Sequence, residues 1–238
     1  MSGGALGGFE PGGVAVVFGA GGGIGAALVR ALQADDRFAE VVALPRRGEA
    51  ACDITCESDV AAVADRLRDG PPLRLVLVAS GRLHGPGMRP EKSLRELDPA
   101  ALQTAFAVNA IGPALALKHL SPLLPREGKS VFAALSARVG SLADNRAGGW
   151  YAYRASKSAL NQLVRTAAIE IARRRPSAVC VSLHPGTVDT PLSQPFSKAG
   201  LKVRAPATAA TDLLAVVERL TPADSGGFFD YAGLPVPW

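Results

Sequence analysis

The chain has 238 residues, 48% of them hydrophobic, enough for one large α/β domain or two small ones. Lys and Arg number 26 against 21 Asp and Glu, a net charge of +5, but they are scattered and form no basic stripe for nucleic acid. Cys52, Cys56 and Cys180 give neither a disulfide framework nor a zinc set, and no apolar run reaches the roughly 18 residues of a membrane span.

Residues 1–12 are glycine-rich and are expected to be flexible, with a single domain over 13–238. Met1-Ser-Gly-Gly-Ala lacks a charged leader, and with three free thiols this places the protein in the cytoplasm. Val14–Phe18 is a short apolar run, as in a strand buried on both faces. A glycine cluster, Gly19–Gly25, leads into a helix to about Gln33. Val41–Leu44 reads as a strand, Glu57–Arg68 as a helix and Leu73–Val78 as a third strand. Leu97–Leu120 is a long helical pattern that Pro113 is expected to kink.

Ser130–Leu135 is the next strand, followed by a polar loop to Trp150 and a helix from Tyr151 to Arg174. Arg173-Arg174-Arg175 closes that helix, where its dipole favours cations. Ala178–Leu183 is a strand, Ala207–Leu220 a helix and Gly227–Phe229 a short last strand. Alternating short strands and longer helices predict an α/β fold: one doubly wound, Rossmann-type parallel sheet with helices on both faces.

The first strand-to-helix turn reads Phe18-Gly19-Ala20-Gly21-Gly22-Gly23-Ile24-Gly25. Glycines there admit positive φ and close approach of a pyrophosphate, and the helix start offers unpaired N–H groups to that anion. At the end of the second strand a carboxylate would bond a ribose 2′-hydroxyl and repel a 2′-phosphate. This chain has Arg46 and Arg47 instead, which favours NADP(H) over NAD(H). A solvated basic turn is the plainer reading of the pair.

Tyr153 and Lys157 stand four residues apart, on one face of their helix. An ammonium beside a phenol stabilises its phenolate, which makes the phenol a workable acid–base group. Tyr151 has Ala155 at the corresponding position and no such partner. The histidines His84, His119 and His184 lie far apart in sequence, so no metal site is expected.

Gly19-x-x-x-Gly23-x-Gly25 together with Tyr153-x-x-x-Lys157 resembles the short-chain dehydrogenase/reductase family over nearly the whole chain. Gly140–Asn161 and the tail from Gly226 to Trp238 are most similar to the C-factor-like and sniffer-like carbonyl reductases of that family. The resemblance implies that Asn109 supports a proton relay and that Lys157 holds a ribose hydroxyl. It also implies that Pro185, Gly186, Thr187, Val188 and Thr190 hold the nicotinamide end of the cofactor, and that Asp53 lies near its adenine. Read without the family, Asp53 is a turn or cap residue, Asn109 a helix-face polar group and Pro185-Gly186 an ordinary turn.

Two departures accompany the likeness. Phe18 stands where the family has threonine, and Ala137 where its catalytic serine is expected, three residues before Gly140. Ser136 replaces that hydroxyl only if the strand end turns it to the other face, and Ser141 lies just beyond. The implied activity is hydride transfer between NADP(H) and a small carbonyl or alcohol substrate, in a homodimer or homotetramer. The loop Pro191–Ala205 is expected to cover the substrate. The alternative is a dinucleotide-binding regulatory or signalling protein with little turnover.

Overall fold

The structure, a computed structural model, describes residues 8–196 and 203–238. Six strands form one all-parallel sheet: β1 (Gly13–Phe18), β2 (Phe38–Leu44), β3 (Leu73–Val78), β4 (Ser130–Leu135), β5 (Ala178–His184) and β6 (Phe228–Asp230). Their order is β2-β1-β3-β4-β5-β6. The order reverses between β1 and β3, and such a switch point opens a crevice above the strands' carboxyl ends.

Six α-helices connect them: α1 (Gly23–Gln33), α2 (Glu57–Leu67), α3 (Pro99–Phe106), α4 (Gly112–Leu120), α5 (Tyr151–Ala172) and α6 (Pro206–Arg219). Successive strand residues face opposite sides, so each face acquires its own core. Val14, Val16 and Phe18 of β1 pack with Val60 of α2, Leu117 of α4 and Leu160 of α5. Ala15 and Val17 face the other side, against Leu28 of α1 and Leu213 of α6. The sheet is therefore covered on both sides, as the alternating pattern predicts.

Several boundaries differ from the sequence reading. β2 begins at Phe38 rather than Val41, because Phe38 is buried and packs on Phe9, with ring centroids 5.8 Å apart. The flexible segment expected for residues 1–12 does not extend over 8–12. Phe9 is in the core, Glu10 pairs with Arg74, and the Gly12 N–H donates to the Arg37 carbonyl at 2.7 Å. Residues 1–7 lie outside the described residues.

The kink expected at Pro113 is a π-turn over Ala107–Ile111, just before it. Pro113 sits in the first turn of α4, where its missing N–H costs little. The composite rod Pro99–Leu123 contains an 18-residue window with a mean hydropathy of 1.4, long and apolar enough to cross a membrane by length and composition alone. In this fold α3 and the π-turn pack on α5, and α4 packs on α2.

Candidate active site

At the tip of β1 the chain turns at Gly19, with φ of 75°. A Cβ there would stand 2.7 Å from the Ser80 nitrogen, so both conformation and space demand glycine. A Cβ at Gly25 would meet the Gly19 carbonyl oxygen at 2.2 Å, and one at Gly23 would meet Thr190 Cγ2 at 2.8 Å. The loop is thus a cradle of bare backbone. Helix α1 starts from it at Gly22 without a side-chain cap or an acidic residue in the first turn, leaving its N–H groups to an anion.

A cavity of about 1010 Å³ runs across the tips of β1, β2 and β3. Gly19, Gly21, Gly23 and Ile24 form its floor, Arg46 and Arg47 one wall, and Thr190 part of the other. Asp53 also lines it and is a turn residue as well, its carboxylate accepting the N–H and hydroxyl of Thr55 at 3.0 and 2.7 Å. Those two bonds, with the Arg46 charge, hold its carboxyl below the ordinary value. Asp53 is thus a turn residue that also faces the cavity.

Asn109 is fully buried on the π-turn, a helix irregularity often found at functional sites. Its Oδ1 accepts the Arg82 N–H at 2.7 Å, and its Nδ2 donates to the Arg82 carbonyl at 2.8 Å and to Ser156 Oγ at 3.0 Å. Ser156 in turn donates to the Tyr153 carbonyl at 2.9 Å. The asparagine so ties the loop after β3 to the helix that carries Tyr153 and Lys157.

Lys157 Nζ donates to the Leu135 carbonyl at 2.7 Å and lies 5.9 Å from the centre of the Tyr153 ring. Both side chains are deeply buried. Burial pushes the Tyr153 phenol up to about 12 and the Lys157 ammonium down to about 7. The lowering of the phenol expected from sequence is thus overridden, because desolvation disfavours both charges. Gly81, in the cavity wall, would bring a Cβ within 4.0 Å of Lys157 Nζ and 3.8 Å of Asn109 Oδ1. The pair lies directly behind that wall.

Ser136 follows β4, its N–H bonded to the Leu183 carbonyl at 2.7 Å, and its buried Oγ has no partner. Ser141 Oγ is committed to the Asp144 N–H at 3.1 Å. Ala137 is less buried than either and begins the 3₁₀ turn Arg138–Gly140.

After β5, Gly186 and Thr187 line a second cavity of about 290 Å³ with His184 and Arg138. Val188 is buried, its carbonyl bonded by Ser193 Oγ. The Pro185 and Thr187 carbonyls accept from Arg204 at 3.4 and 2.9 Å. Of that loop's candidates, Thr190 alone lines the main cavity. In the expected cover Pro191–Ala205, Pro191 and Leu192 line that cavity, and residues 197–202 lie outside the described residues.

Ser80, Arg82 and Glu91 gave no sequence signal. Ser80, Arg82 and His84 line the cavity from the loop after β3. Glu91, from the same loop, is buried, and its carboxylate accepts the Ala152 N–H at 3.3 Å. It caps α5 in place of Trp150, which enters the helix with φ of 53° and no side-chain cap. The Trp150 ring lies edge-on to Tyr153 at 6.3 Å and to Phe196 at 5.2 Å.

Residues 19–220 match the family model described as Enoyl-(Acyl carrier protein) reductase. The chain belongs to the short-chain dehydrogenase/reductase family, whose members are NAD(P)-dependent oxidoreductases. It is 38% identical to the C-signal of Myxococcus xanthus over 146 residues, covering 61% of this chain and 84% of that one. It is 32% identical to 1-hydroxy-2-glutathionyl-2-methyl-3-butene dehydrogenase of Rhodococcus sp. (strain AD45) over 191 residues, 80% of each chain. The fold superposes on the carbonyl reductase Sniffer of Drosophila melanogaster with a TM-score of 0.83 at 21% identity, covering 96% of this chain and all of that one. A short-chain dehydrogenase/reductase from Burkholderia multivorans with bound NADP gives 0.79 at 25% identity, covering 96% and 100%.

Proposed function

We propose that this oxidoreductase reduces a carbonyl compound, or oxidises the matching alcohol, with NADP(H) and with Tyr153 as its acid–base group. The observation that carries this reading is the fixed array Asn109–Ser156–Tyr153–Lys157 behind the wall of a cavity whose floor is a bare glycine cradle. The cofactor fits the residues present. The uncapped α1 start suits its pyrophosphate, and Arg46 and Arg47 suit a 2′-phosphate. The NADP in the Burkholderia relative supports the same choice.

When bound, NADPH supplies the hydride. Tyr153, protonated at neutral pH because burial raises its pKa, donates a proton to the carbonyl oxygen. Charged Lys157 stabilises the phenolate left behind and holds a ribose hydroxyl. Asn109 fixes the loop that walls the site and orders the proton relay. Pro185–Thr190 close the nicotinamide end. Exposed Ile111, Leu163 and Ile169, on the π-turn and α5, support association of two or four copies through those helices. The three free cysteines fit a cytoplasmic setting.

Ala137 and the buried, unpartnered Ser136 hydroxyl support a second reading, a dinucleotide-binding regulator with little turnover. Calorimetric titration with NADPH and NADH, followed by a carbonyl panel, separates the two. Tight NADPH binding with Tyr153-dependent turnover supports the reductase. Binding without turnover supports the regulator, and no binding of either nucleotide overturns both.

A further inference from the structure

Arg82 is a guanidinium that the proposed reaction leaves unassigned. Its N–H donates to Asn109 Oδ1 and its carbonyl accepts from Asn109 Nδ2, which fixes its backbone next to Gly81, where a Cβ would come within 4.0 Å of Lys157 Nζ. Arg82 is among the residues that line the main cavity and is half-buried. It lies along Gly85, whose φ is 157° and where a Cβ would stand 2.6 Å from Nη2, so the loop is shaped around it. Its Nε is buried without a hydrogen-bond partner.

No ion pair among the described residues includes Arg82, and the segments 1–7 and 197–202 contain no Asp or Glu. The cavity offers no counter-charge at that end either. Its single acidic lining residue is Asp53, bonded to Thr55 and facing Arg46. A buried donor and an unmatched cation in a cleft are costly unless a ligand completes them.

The position decides which ligand. β2, β1 and β3 are successive neighbours in the sheet, so the tip of β3 stands about 10 Å from the tip of β2, where Arg46 and Arg47 serve a 2′-phosphate. The pyrophosphate cradle lies over β1. Arg82 is therefore at the reacting end, beside the Asn109–Lys157 pair.

We propose that the carbonyl substrate of this enzyme bears a carboxylate and that Arg82 binds it. The inference rests on the oxidoreductase reading above and narrows it to a substrate class. Arginine meets a carboxylate with two parallel N–H bonds, and a cleft of one sign draws such a substrate in.

The test compares 4-carboxybenzaldehyde with its methyl ester as substrates of the NADPH-loaded protein. The expected kcat/KM favours the acid by about 10- to 100-fold, with a preference that shrinks as salt rises. Arg82→Leu brings the acid-to-ester ratio towards one through KM for the acid, and Arg82→Lys keeps part of it. If Arg82→Leu does not fold, the lysine variant and the salt dependence of the wild type carry the same comparison. A wild-type ratio near one overturns the proposal. So does an Arg82→Leu protein whose NADPH affinity drops tenfold while the ratio persists, which assigns Arg82 to a cofactor phosphate.

Should the wild type reduce neither aldehyde, the reductase reading fails separately from the anion site. Calorimetry of the NADP+-loaded protein with terephthalate then decides the site alone. Binding lost in Arg82→Leu supports it, and no wild-type binding overturns it.

Discussion

At the tips of β1 and β2 the cleft is made of backbone and exposed guanidiniums, whereas at the tips of β3 and β4 it is made of buried side chains from distant segments. The cradle end works because Cβ atoms are missing at Gly19, Gly23 and Gly25 and because α1 starts uncapped. At the proposed reacting end Asn109 bonds Ser156, Ser156 bonds the Tyr153 carbonyl, and Lys157 lies 5.9 Å from the Tyr153 ring. The first kind of site rests on the absence of side chains. The second ties chemistry to packing, so each substitution there moves protonation as well as position.

The comparison is broken most directly at Tyr153. Tyr153→Phe is expected to cut kcat by about 10³-fold while NADPH affinity stays within threefold, read from steady-state rates and calorimetry. Equal losses in both would make the two ends one unit. Ala137→Ser restores a donor at the turn after β4 and is expected to raise kcat by up to about 10²-fold. An unchanged rate would place the oxyanion donor elsewhere in the site.

At the cradle end, the Arg46→Ala/Arg47→Ala pair is expected to weaken NADPH binding by about 10- to 30-fold and leave NADH nearly unchanged. Equal weakening of both nucleotides would remove the 2′-phosphate assignment. The pH response sharpens the contrast further. Lys157 is charged below about 7 and neutral above it in the free protein, because burial depresses it. Only the charged form stabilises the phenolate that proton donation leaves. The kcat/KM for NADPH should therefore fall as pH rises through about 7, to about a tenth of its plateau one unit higher. The always-charged Lys157→Arg is expected to lose this limb. In stability the sign reverses: the cost of burying charged Lys157 is full below about 7 and fades as pH rises towards 10.5, so the protein gains stability over that range.

Much of this was readable from local pattern. Buried runs such as Val14–Phe18 and Leu73–Val78 mark parallel strands because both faces are covered, and the Tyr153–Lys157 step needs only helical spacing. The glycine cluster was legible from its spacing, although the close contacts that demand it at Gly19 and Gly23 come from Ser80 and Thr190. Other features depend on partners far along the chain. Arg82 acquires its meaning from Asn109, 27 residues on, and Glu91 caps a helix that begins 60 residues later. Phe9 extends β2 and orders residues 8–12 only because Phe38 is there to receive it. The balance of charge at Tyr153 and Lys157 differs from the expectation, because spacing reveals a neighbour but not the loss of water around it.

The left-handed entry into α5 has an optical consequence. Trp150 is one of two tryptophans in the chain, and its indole is held between Tyr153 and Phe196. Trp238, the other, is about half exposed at the C-terminal end of the chain. Trp238→Phe therefore leaves a single tryptophan, excited selectively at the red edge, whose lifetime and colour register how closely the ring of Phe196 approaches α5. Motion at the cleft is then observable without adding a dye.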